Sequence, residues 1–306
     1  MVTDITPEMK KAIERSGYLL EAEVAEIVRQ QGYFVIPNHA FRDPESGENR
    51  EIDIFAISAE VIKRKEEDFI FPILLIECKN IQSPLVFFSR EEVPSRYIVG
   101  DLQISGIPKE IKTKDGFDED LAEYLKLEKI CHYYRAGNIS TQFCAIVSKK
   151  DKKDKDFIAT HKIDSPLGNL YESMILPVIK ALHYEKEEHE NSYYPDPQNE
   201  TINLQLYYPI VVINGSLFEC LLKESGEPTY KSVQRVNFLR RYQSTEISGD
   251  YRIDIVAKES LGELLGEIDK EIEMITKRIK QGRDELIENA KRIAKERLKE
   301  EKHKKH

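Results

Sequence analysis

The stretch that most constrains the fold is Phe69–Lys79, which reads FIFPILLIECK. Side chains alternate between the two faces of a strand, so the faces here are Ile73, Leu75, Glu77 and Lys79 on one side and Leu74, Ile76 and Cys78 on the other. Both faces are mainly apolar in the first half, which is typical of a central strand covered on both sides. The stretch therefore predicts an α/β fold in which a buried strand ends in Glu77 and Lys79.

A second apolar run, Glu51–Ser58, predicts a strand that carries Asp53 in its middle. If the two strands are neighbours, Asp53 can join Glu77 and Lys79 at one point. Two carboxylates and an ammonium group at one point are what a hard metal ion and an activated water require. The backbone carbonyl of Cys78 is the candidate for a third ligand.

Hydrophobic periodicity and capping signals predict the remaining elements of the first half. Thr6-Pro7 starts a helix, and Gly17–Gln31 forms a second one that ends at Gly32. We further expect a strand at Tyr33–Pro37, a long loop or small insertion at Ile81–Phe117, a helix at Asp118–Arg135, a strand at Thr141–Ser148 and a helix at Leu167–Tyr184.

The C-terminal half is predicted to be rich in strands. The runs that indicate strands are 203–213, 217–222, 236–242 and 251–257, and Asn214-Gly215 predicts a hairpin between the first two. From Leu261 onward the chain predicts one long helix with apolar residues at heptad-like spacing, and Gly282 interrupts this apolar seam. The predicted organisation is a core at 1–184, a linker at 185–200, a β-rich segment at 201–258 that packs on or extends the core, and a charged helix at 259–306 that can form a coiled coil.

The order of elements and the site residues resemble the PD-(D/E)xK nuclease superfamily, in particular its Mrr-like branch. The first helix matches through Gly17, Leu20-Glu21 and Gly32, the second strand through Asp53, and the third through Glu77-Cys78-Lys79. The resemblance covers 17–148. It implies a restriction endonuclease-like core, a mixed central sheet flanked by helices. It also implies a Mg²⁺- or Mn²⁺-dependent endonuclease that cuts DNA in prokaryotic defence or DNA processing.

Each site residue has an expected role in phosphodiester hydrolysis. Asp53, Glu77 and the Cys78 carbonyl would bind the metal, because Mg²⁺ prefers oxygen ligands. Lys79 would orient the attacking water or stabilise the developing charge. Glu21, on the first helix, would hold a metal-bound water or a second ion.

Plainer interpretations stand beside these roles. Glu77 or Asp53 can form a buried ion pair with Lys79, because a charge at the end of an apolar strand must be paired or bound. Glu21 can be a solvated helix residue, and Glu51 either an accessory ligand or a solvated strand end. The run around Asp254 echoes the one around Asp53, but no ExK strand follows it, and Asp254 is expected to be an ordinary strand residue.

The formal net charge of −9 excludes a global basic field that would attract nucleic acid. DNA contact must then come from bound metal or from a local basic patch. The region after the predicted active-site strand mixes basic and aromatic side chains and is the candidate patch, unless it is only a surface loop. Its residues are Arg90, Arg96, Tyr97, Lys109, Lys112 and Lys114.

Four dispersed cysteines without a CxxC pair fit a reducing cytoplasm, and no apolar run of about 18 residues predicts a membrane span. The expected partners are DNA, a second copy of the chain bound through the C-terminal helix, and a protein encoded in the same operon. The alternative function is a catalytically inactive nuclease-like scaffold that acts as a binding or assembly protein through that helix.

Overall fold

The structure is a computed structural model, and it describes residues 4–63, 67–81, 83–92, 102–113, 115–150, 156–161, 170–193, 201–223 and 226–304. Over these ranges the fold is mixed α/β. One large mixed sheet is flanked by helices, and a long helix ends the chain. Among the described residues, no helix is both long enough and apolar enough to cross a membrane.

The described helices confirm the expected starts of the first two. The Thr6 hydroxyl caps the first helix and accepts a hydrogen bond of 3.3 Å from the Met9 N–H. The helices are α1 (Pro7–Arg15), α2 (Tyr18–Gln30), α3 (Leu121–Leu125), α4 (Leu127–Ile130), α5 (Leu170–Met174), α6 (Leu176–Tyr193) and α7 (Leu261–Lys304). Short 3₁₀ turns occupy His132–Tyr134 and Lys258–Ser260.

The strands supply most of the described core. They are β1 (Phe34–Arg42), β2 (Asn49–Ile57), β3 (Glu60–Lys63), β4 (Asp68–Asn80), β5 (Leu85–Glu92), β6 (Ile104–Ser105), β7 (Glu110–Lys112), β8 (Asp118–Asp120), β9 (Gly137–Lys150), β10 (Asp156–His161), β11 (Asn203–Asn214), β12 (Leu217–Leu221), β13 (Thr229–Val233), β14 (Arg235–Gln243) and β15 (Ser248–Ala257). Strands β7 and β8 pair only with each other, and the other described strands form one sheet.

The main path through that sheet is β1-β2-β4-β11-β15-β14-β9-β5-β12-β13. Strand β4 lies between β2, which is antiparallel to it, and β11, which is parallel to it. Nearly all of β4 is buried, including both alternating sets of its side chains. The prediction of a central strand at Phe69–Lys79 is therefore confirmed, with both ends one residue longer.

Two hydrophobic layers cover the sheet. One packs α2, α3, α4 and α7 against one face, and the other packs α5 and α6 against the opposite face. From α7, nine side chains are buried in the first layer: Leu261, Leu264, Leu265, Ile268, Ile272, Ile275, Ile279, Leu286 and Ile287. The heptad-like seam of the long helix thus packs within its own chain, so a homodimer through this helix, which stays a prediction, would have to use other residues.

Two predictions in the middle of the chain were wrong. The expected loop at Ile81–Phe117 contains β5, β6 and part of the β7–β8 pair, and β5 lies between β9 and β12. The expected helix at Asp118–Arg135 is broken into β8, α3, α4 and a 3₁₀ turn. The break occurs at Lys126, whose left-handed backbone (φ 56°) ends α3 and starts α4.

The predicted hairpin at Asn214-Gly215 was also wrong. Strand β11 pairs with β4 and β15, whereas β12 pairs with β5 and β13. The glycine is needed for a different reason. A Cβ atom at Gly215 would lie 2.2 Å from the Ile81 carbonyl oxygen, so only glycine allows the two backbones to approach this closely.

The expected linker at 185–200 begins inside a helix, since α6 runs through Tyr193, and residues 194–200 lie outside the described residues. The strands of 201–258 extend the core, as one of the two predicted arrangements required, and β11 enters the middle of the sheet. The sheet therefore draws strands from both sides of the predicted boundary. The prediction of one long helix from Leu261 is confirmed, and α7 is continuous across Gly282.

Candidate metal centre

Glu77 is a buried acidic side chain near the C-terminal end of β4, with 5% of its surface exposed. The Lys79 ammonium donates a hydrogen bond to its Oε1. Its Oε2 is buried and has no hydrogen-bond partner among the residues that the structure describes. One oxygen of this carboxylate is therefore paired and the other is available to a ligand.

Asp53 lies beside this pair. The described pairing of β2 with β4 ends at Ile54 and Ile76, one residue before Asp53 and Glu77. The Asp53 Oδ2 accepts a hydrogen bond of 2.7 Å from the Cys78 N–H. In a hydrogen-bonded strand position the N–H and C=O of one residue point to the same edge, so the Cys78 carbonyl faces the β2 side as well.

Glu21 comes from the first turn of α2, where a carboxylate is also favoured by the partial positive charge of the helix N-terminus. The N-cap of the helix is Gly17, which has a left-handed backbone with φ 90°. A Cβ atom there would lie 3.7 Å from Glu21 Oε1. The helix brings Glu21 near enough for Asp53 and Lys79 to influence its ionisation.

The three carboxylic acids all have raised pKa values. Burial, then Asp53, raises the pKa of Glu77 to about 7, although Lys79 opposes the shift. Burial raises the pKa of Asp53 against the opposing Cys78 N–H and Lys79. Burial and Asp53 raise the pKa of Glu21. Each negative charge is thus costly here, which is the pattern of a site that lacks a positive charge.

The residues fit a divalent metal ion on this evidence of charge. Three carboxylates face one lysine, and one buried carboxylate oxygen has no partner in the described part of the chain. Carboxylate and carbonyl oxygens are the donors that Mg²⁺ and Mn²⁺ prefer. The expected ion pair between Glu77 and Lys79 is also present. This ion pair uses Glu77 Oε1 and leaves Asp53 and Glu77 Oε2 for a metal. The ion pair and the metal site therefore involve different oxygens of one cluster.

Glu51 contributes less than the other carboxylates. Its side chain is exposed near the start of β2, and its charge adds a small upward effect on the pKa of Asp53. Glu51 is therefore a solvated residue near the strand end, and its negative charge still acts on Asp53.

The residues of the predicted basic patch that the structure describes contact other parts of the chain and not the carboxylate cluster. Arg90 on β5 is 3.8 Å from Glu92, Lys109 is 3.5 Å from Glu190 of α6, and the Lys112 N–H donates to Asn289 of α7. Arg96, Tyr97 and Lys114 lie outside the described residues. The role of these six residues in DNA binding stays a prediction.

Helix α1 lies beside the site and has a small net positive charge, because Lys10, Lys11 and Arg15 outnumber Glu8 and Glu14 by one. The Asn80 side chain, at the end of β4, donates a hydrogen bond of 2.8 Å to the Glu14 carbonyl and so anchors α1 beside the cluster. The side chains of Lys10, Lys11 and Arg15 on this helix are exposed. The signal in the sequence was the basic run KKAIER only a few residues before Glu21.

The expectation that Asp254 is an ordinary strand residue was wrong. Its carboxylate is fully buried on β15 and contacts His132 at 2.8 Å and Arg235 at 2.9 Å. These two cations, after the opposing effect of burial, lower the pKa of Asp254 to about 2. A charged residue within the apolar run RIDIVA was the available signal, because a buried charge requires partners.

Together, the fold and the site define a mixed α/β protein with a carboxylate-rich cluster at the end of its central strand. No protein-family model matches the chain, and searches of curated proteins and of solved structures found no match either.

Proposed function

We propose that this chain is a Mg²⁺-dependent nuclease with a restriction endonuclease-like core, and that it hydrolyses phosphodiester bonds in DNA. The observation that carries the proposal is the cluster of Asp53, Glu77 and Lys79 at the end of β4, with one buried Glu77 oxygen unpaired among the described residues. The resemblance of these residues to the PD-(D/E)xK superfamily supports the same chemistry.

Asp53, Glu77 and the Cys78 carbonyl would hold the metal, and Glu21 would hold one of its waters. When bound, Mg²⁺ supplies neutralisation of phosphate charge and activation of the attacking water. The ammonium of Lys79 is fixed by Glu77 and provides a cation for the charge that develops during attack. Asp53 is itself oriented by the Cys78 N–H, so both carboxylates are held before substrate arrives.

Support for a nucleic acid substrate comes from α1. An acidic protein repels DNA over most of its surface, and phosphate contacts must be local. Lys10, Lys11 and Arg15 are exposed on a helix that Asn80 anchors beside the cluster. The choice of DNA and the role in defence or DNA processing rest on the resemblance.

The test is cleavage of supercoiled plasmid, single-stranded DNA and RNA with Mg²⁺, Mn²⁺ or chelator. We expect Asp53→Asn and Lys79→Met to lower the cleavage rate by about a hundredfold or more, since each removes a charge that acts on the transition state. Asp250→Asn on β15 and Lys231→Met on β13 are matched controls that change the same charges away from the cluster.

Cleavage that persists in both site variants would overturn the site. If the wild-type protein cleaves neither DNA nor RNA with either metal, the inactive scaffold is the better description. The controls must cleave at the wild-type rate for a loss to be assigned to the cluster.

A further inference from the structure

A second cluster of ionisable side chains lies away from the end of β4. It contains Cys131, His132 and Glu271, and one ligand atom from each lies within 4.8 Å of the others. The three side chains are buried, and Glu271 has only 1% of its surface exposed. A thiol, an imidazole and a carboxylate are the three side-chain types that bind Zn²⁺ in proteins.

Two separate elements bring the three residues together. Cys131 and His132 follow α4 and lead into the 3₁₀ turn, whereas Glu271 comes from α7. The His132 N–H donates a hydrogen bond of 2.7 Å to Glu271 Oε1. This backbone contact fixes the carboxylate against the turn whatever occupies the space between the side chains.

The imidazole is oriented by a further carboxylate. His132 Nε2 lies 2.8 Å from Asp254 Oδ2, and Nδ1 lies 2.9 Å and 3.0 Å from the two oxygens of Glu271. Asp254 is in turn held by the Arg235 guanidinium. A metal-binding histidine commonly donates its other N–H to a carboxylate, which sets the tautomer. Here the Asp254 carboxylate accepts the hydrogen bond from Nε2–H, and Nδ1 is directed toward Glu271 and Cys131.

We propose that Cys131 Sγ, His132 Nδ1 and the Glu271 carboxylate bind a zinc ion, with Asp254 as the carboxylate that orients the imidazole. A thiolate ligand selects Zn²⁺ over Mg²⁺, which prefers oxygen. This site is therefore chemically distinct from the carboxylate cluster at Glu77. Three protein ligands leave one position of a tetrahedral zinc for the second Glu271 oxygen or for water.

The exchange of protons for zinc keeps the charge of the cluster constant. In the cluster without metal, His132 lies between two carboxylates, with Nε2 2.8 Å from Asp254 and Nδ1 2.9 Å from Glu271. An imidazole that donates to both carboxylates carries two protons, and the Cys131 thiol carries one. Binding of one Zn²⁺ releases the Nδ1 proton and the thiol proton to solvent, so two positive charges replace two. No uncompensated charge is created in the interior.

Bound zinc would join the turn after α4 to α7. We therefore expect a structural ion that ties the long helix to this turn. Binding energy for a metal held only by the folded chain adds to the stability of the fold.

The experiment is to purify the full chain without metal-affinity steps, remove metals with chelator, and titrate with Co²⁺ and Zn²⁺. Co²⁺ bound to a thiolate gives a charge-transfer absorption band. We expect one Co²⁺ per chain with this band, its displacement by one Zn²⁺, and a higher melting temperature with Zn²⁺. Cys131→Ser should remove the band, whereas Cys144→Ser, a buried cysteine on β9, should retain it.

The wild-type titration does not depend on whether a variant folds. A wild-type protein without the thiolate band and without a zinc-dependent rise in melting temperature would overturn the proposal, as would a band that Cys131→Ser retains. Asp53→Asn should keep the band at the wild-type intensity. Loss of the band in that variant would assign the metal to the carboxylate cluster and would also overturn the proposal.

Discussion

Glu77 shows at the scale of one residue how a candidate active site differs from ordinary core. A buried carboxylate is normally given enough donors to satisfy both oxygens. Here Lys79 satisfies one oxygen, and two further carboxylates raise the cost of the charge. Active sites commonly retain such unfavourable arrangements because function requires them.

The first prediction concerns Glu77→Gln. The pKa of Glu77 is raised from 4.5 to about 7, so its ionisation costs stability increasingly as the pH rises through this window and fully above it. At pH 8 in chelator we expect the variant to unfold with a free energy about 1 kcal/mol larger than that of the wild type. Mg²⁺ should stabilise the wild type and not the variant.

Urea denaturation with and without Mg²⁺ measures both effects. Glu26→Gln, on the exposed side of α2, is the control and should retain the response to Mg²⁺. A Glu77→Gln variant that is less stable than the wild type in chelator would show that the ion pair with Lys79 outweighs the repulsion between the carboxylates.

The second prediction concerns His189 on α6. Burial lowers the pKa of its imidazole from 6.5 to about 4, and Ser105 lies 2.8 Å from Nδ1. The unfolded chain therefore binds an additional proton between these pH values, and stability falls as the pH drops from 6.5 toward 4. The loss from this residue should reach about 1–3 kcal/mol.

His189→Gln should flatten the decline in unfolding free energy between pH 6.5 and pH 4.5. His183→Gln changes a histidine of the same helix that is paired with Glu187, and it serves as the control. Equal slopes for the wild type and His189→Gln would contradict the prediction.

At the scale of elements, sequence periodicity predicted what depends on local pattern. The cap at Thr6, the glycine at the end of α2 and the two-sided apolar pattern of β4 each lie within a few residues, and each was confirmed. Asp53 lies beside Glu77 because β2 and β4 are neighbours, which was the condition on which the prediction depended. Whether they bind metal stays a prediction.

What failed depended on long-range pairing. Asn214-Gly215 has the composition of a hairpin turn, yet β11 is buried along nearly its whole length and takes two neighbours distant in sequence. The network around His132 was missed for the same reason, since its members come from a turn, a strand and α7. Neither propensity nor periodicity carries information about such partners.

The third prediction tests the contact between α3 and α7. A Cβ atom at Gly282 would lie 2.1 Å from the Tyr124 hydroxyl oxygen. Gly282→Ala should therefore destabilise the protein by about 1–3 kcal/mol, although alanine is the better helix former. In a Tyr124→Ala background the same change should stabilise by about 1 kcal/mol.

Gly266→Ala is the matched control within α7, since no atom lies within 4 Å of the added Cβ. It should stabilise the wild type by about 1 kcal/mol. Thermal or urea unfolding of the double-mutant cycle gives the coupling between the two positions. No coupling would mean that the helix and Tyr124 are not in contact.

At the scale of the whole molecule, α7 is part of the core and not an appendage. It contributes nine side chains to the first hydrophobic layer, and burial of each such side chain stabilises the fold by about 1.5–3 kcal/mol. Without α7, the apolar residues that pack against these nine side chains would be exposed to water. Arg283 further pairs with Asp68, which is fully buried at the start of β4.

The fourth prediction concerns the removal of the buried α7 side chains. A chain that ends after Ser260 should fail to fold, whereas one that ends after Lys295 should keep the buried seam and fold. Circular dichroism and light scattering of the two truncated proteins and the full chain measure folding and mass. The prediction is contradicted if the protein that ends at Ser260 folds and differs from the full chain only in oligomeric state. In that case α7 would be an assembly helix.

The position of β11 has a consequence for the time at which the site forms during synthesis. Strand β4, with Glu77 and Lys79, emerges from the ribosome more than 120 residues before β11, which pairs along its length from Asn203↔Phe69 to Asn214↔Asn80. Until β11 is made, one edge of β4 lacks the strand with which it pairs in the native sheet. Pairing between strands so distant in the sequence is also slow. If the chain is the proposed nuclease, it would gain activity only after β11 has been synthesised, so shorter chains released in the cell would leave the DNA of that cell intact.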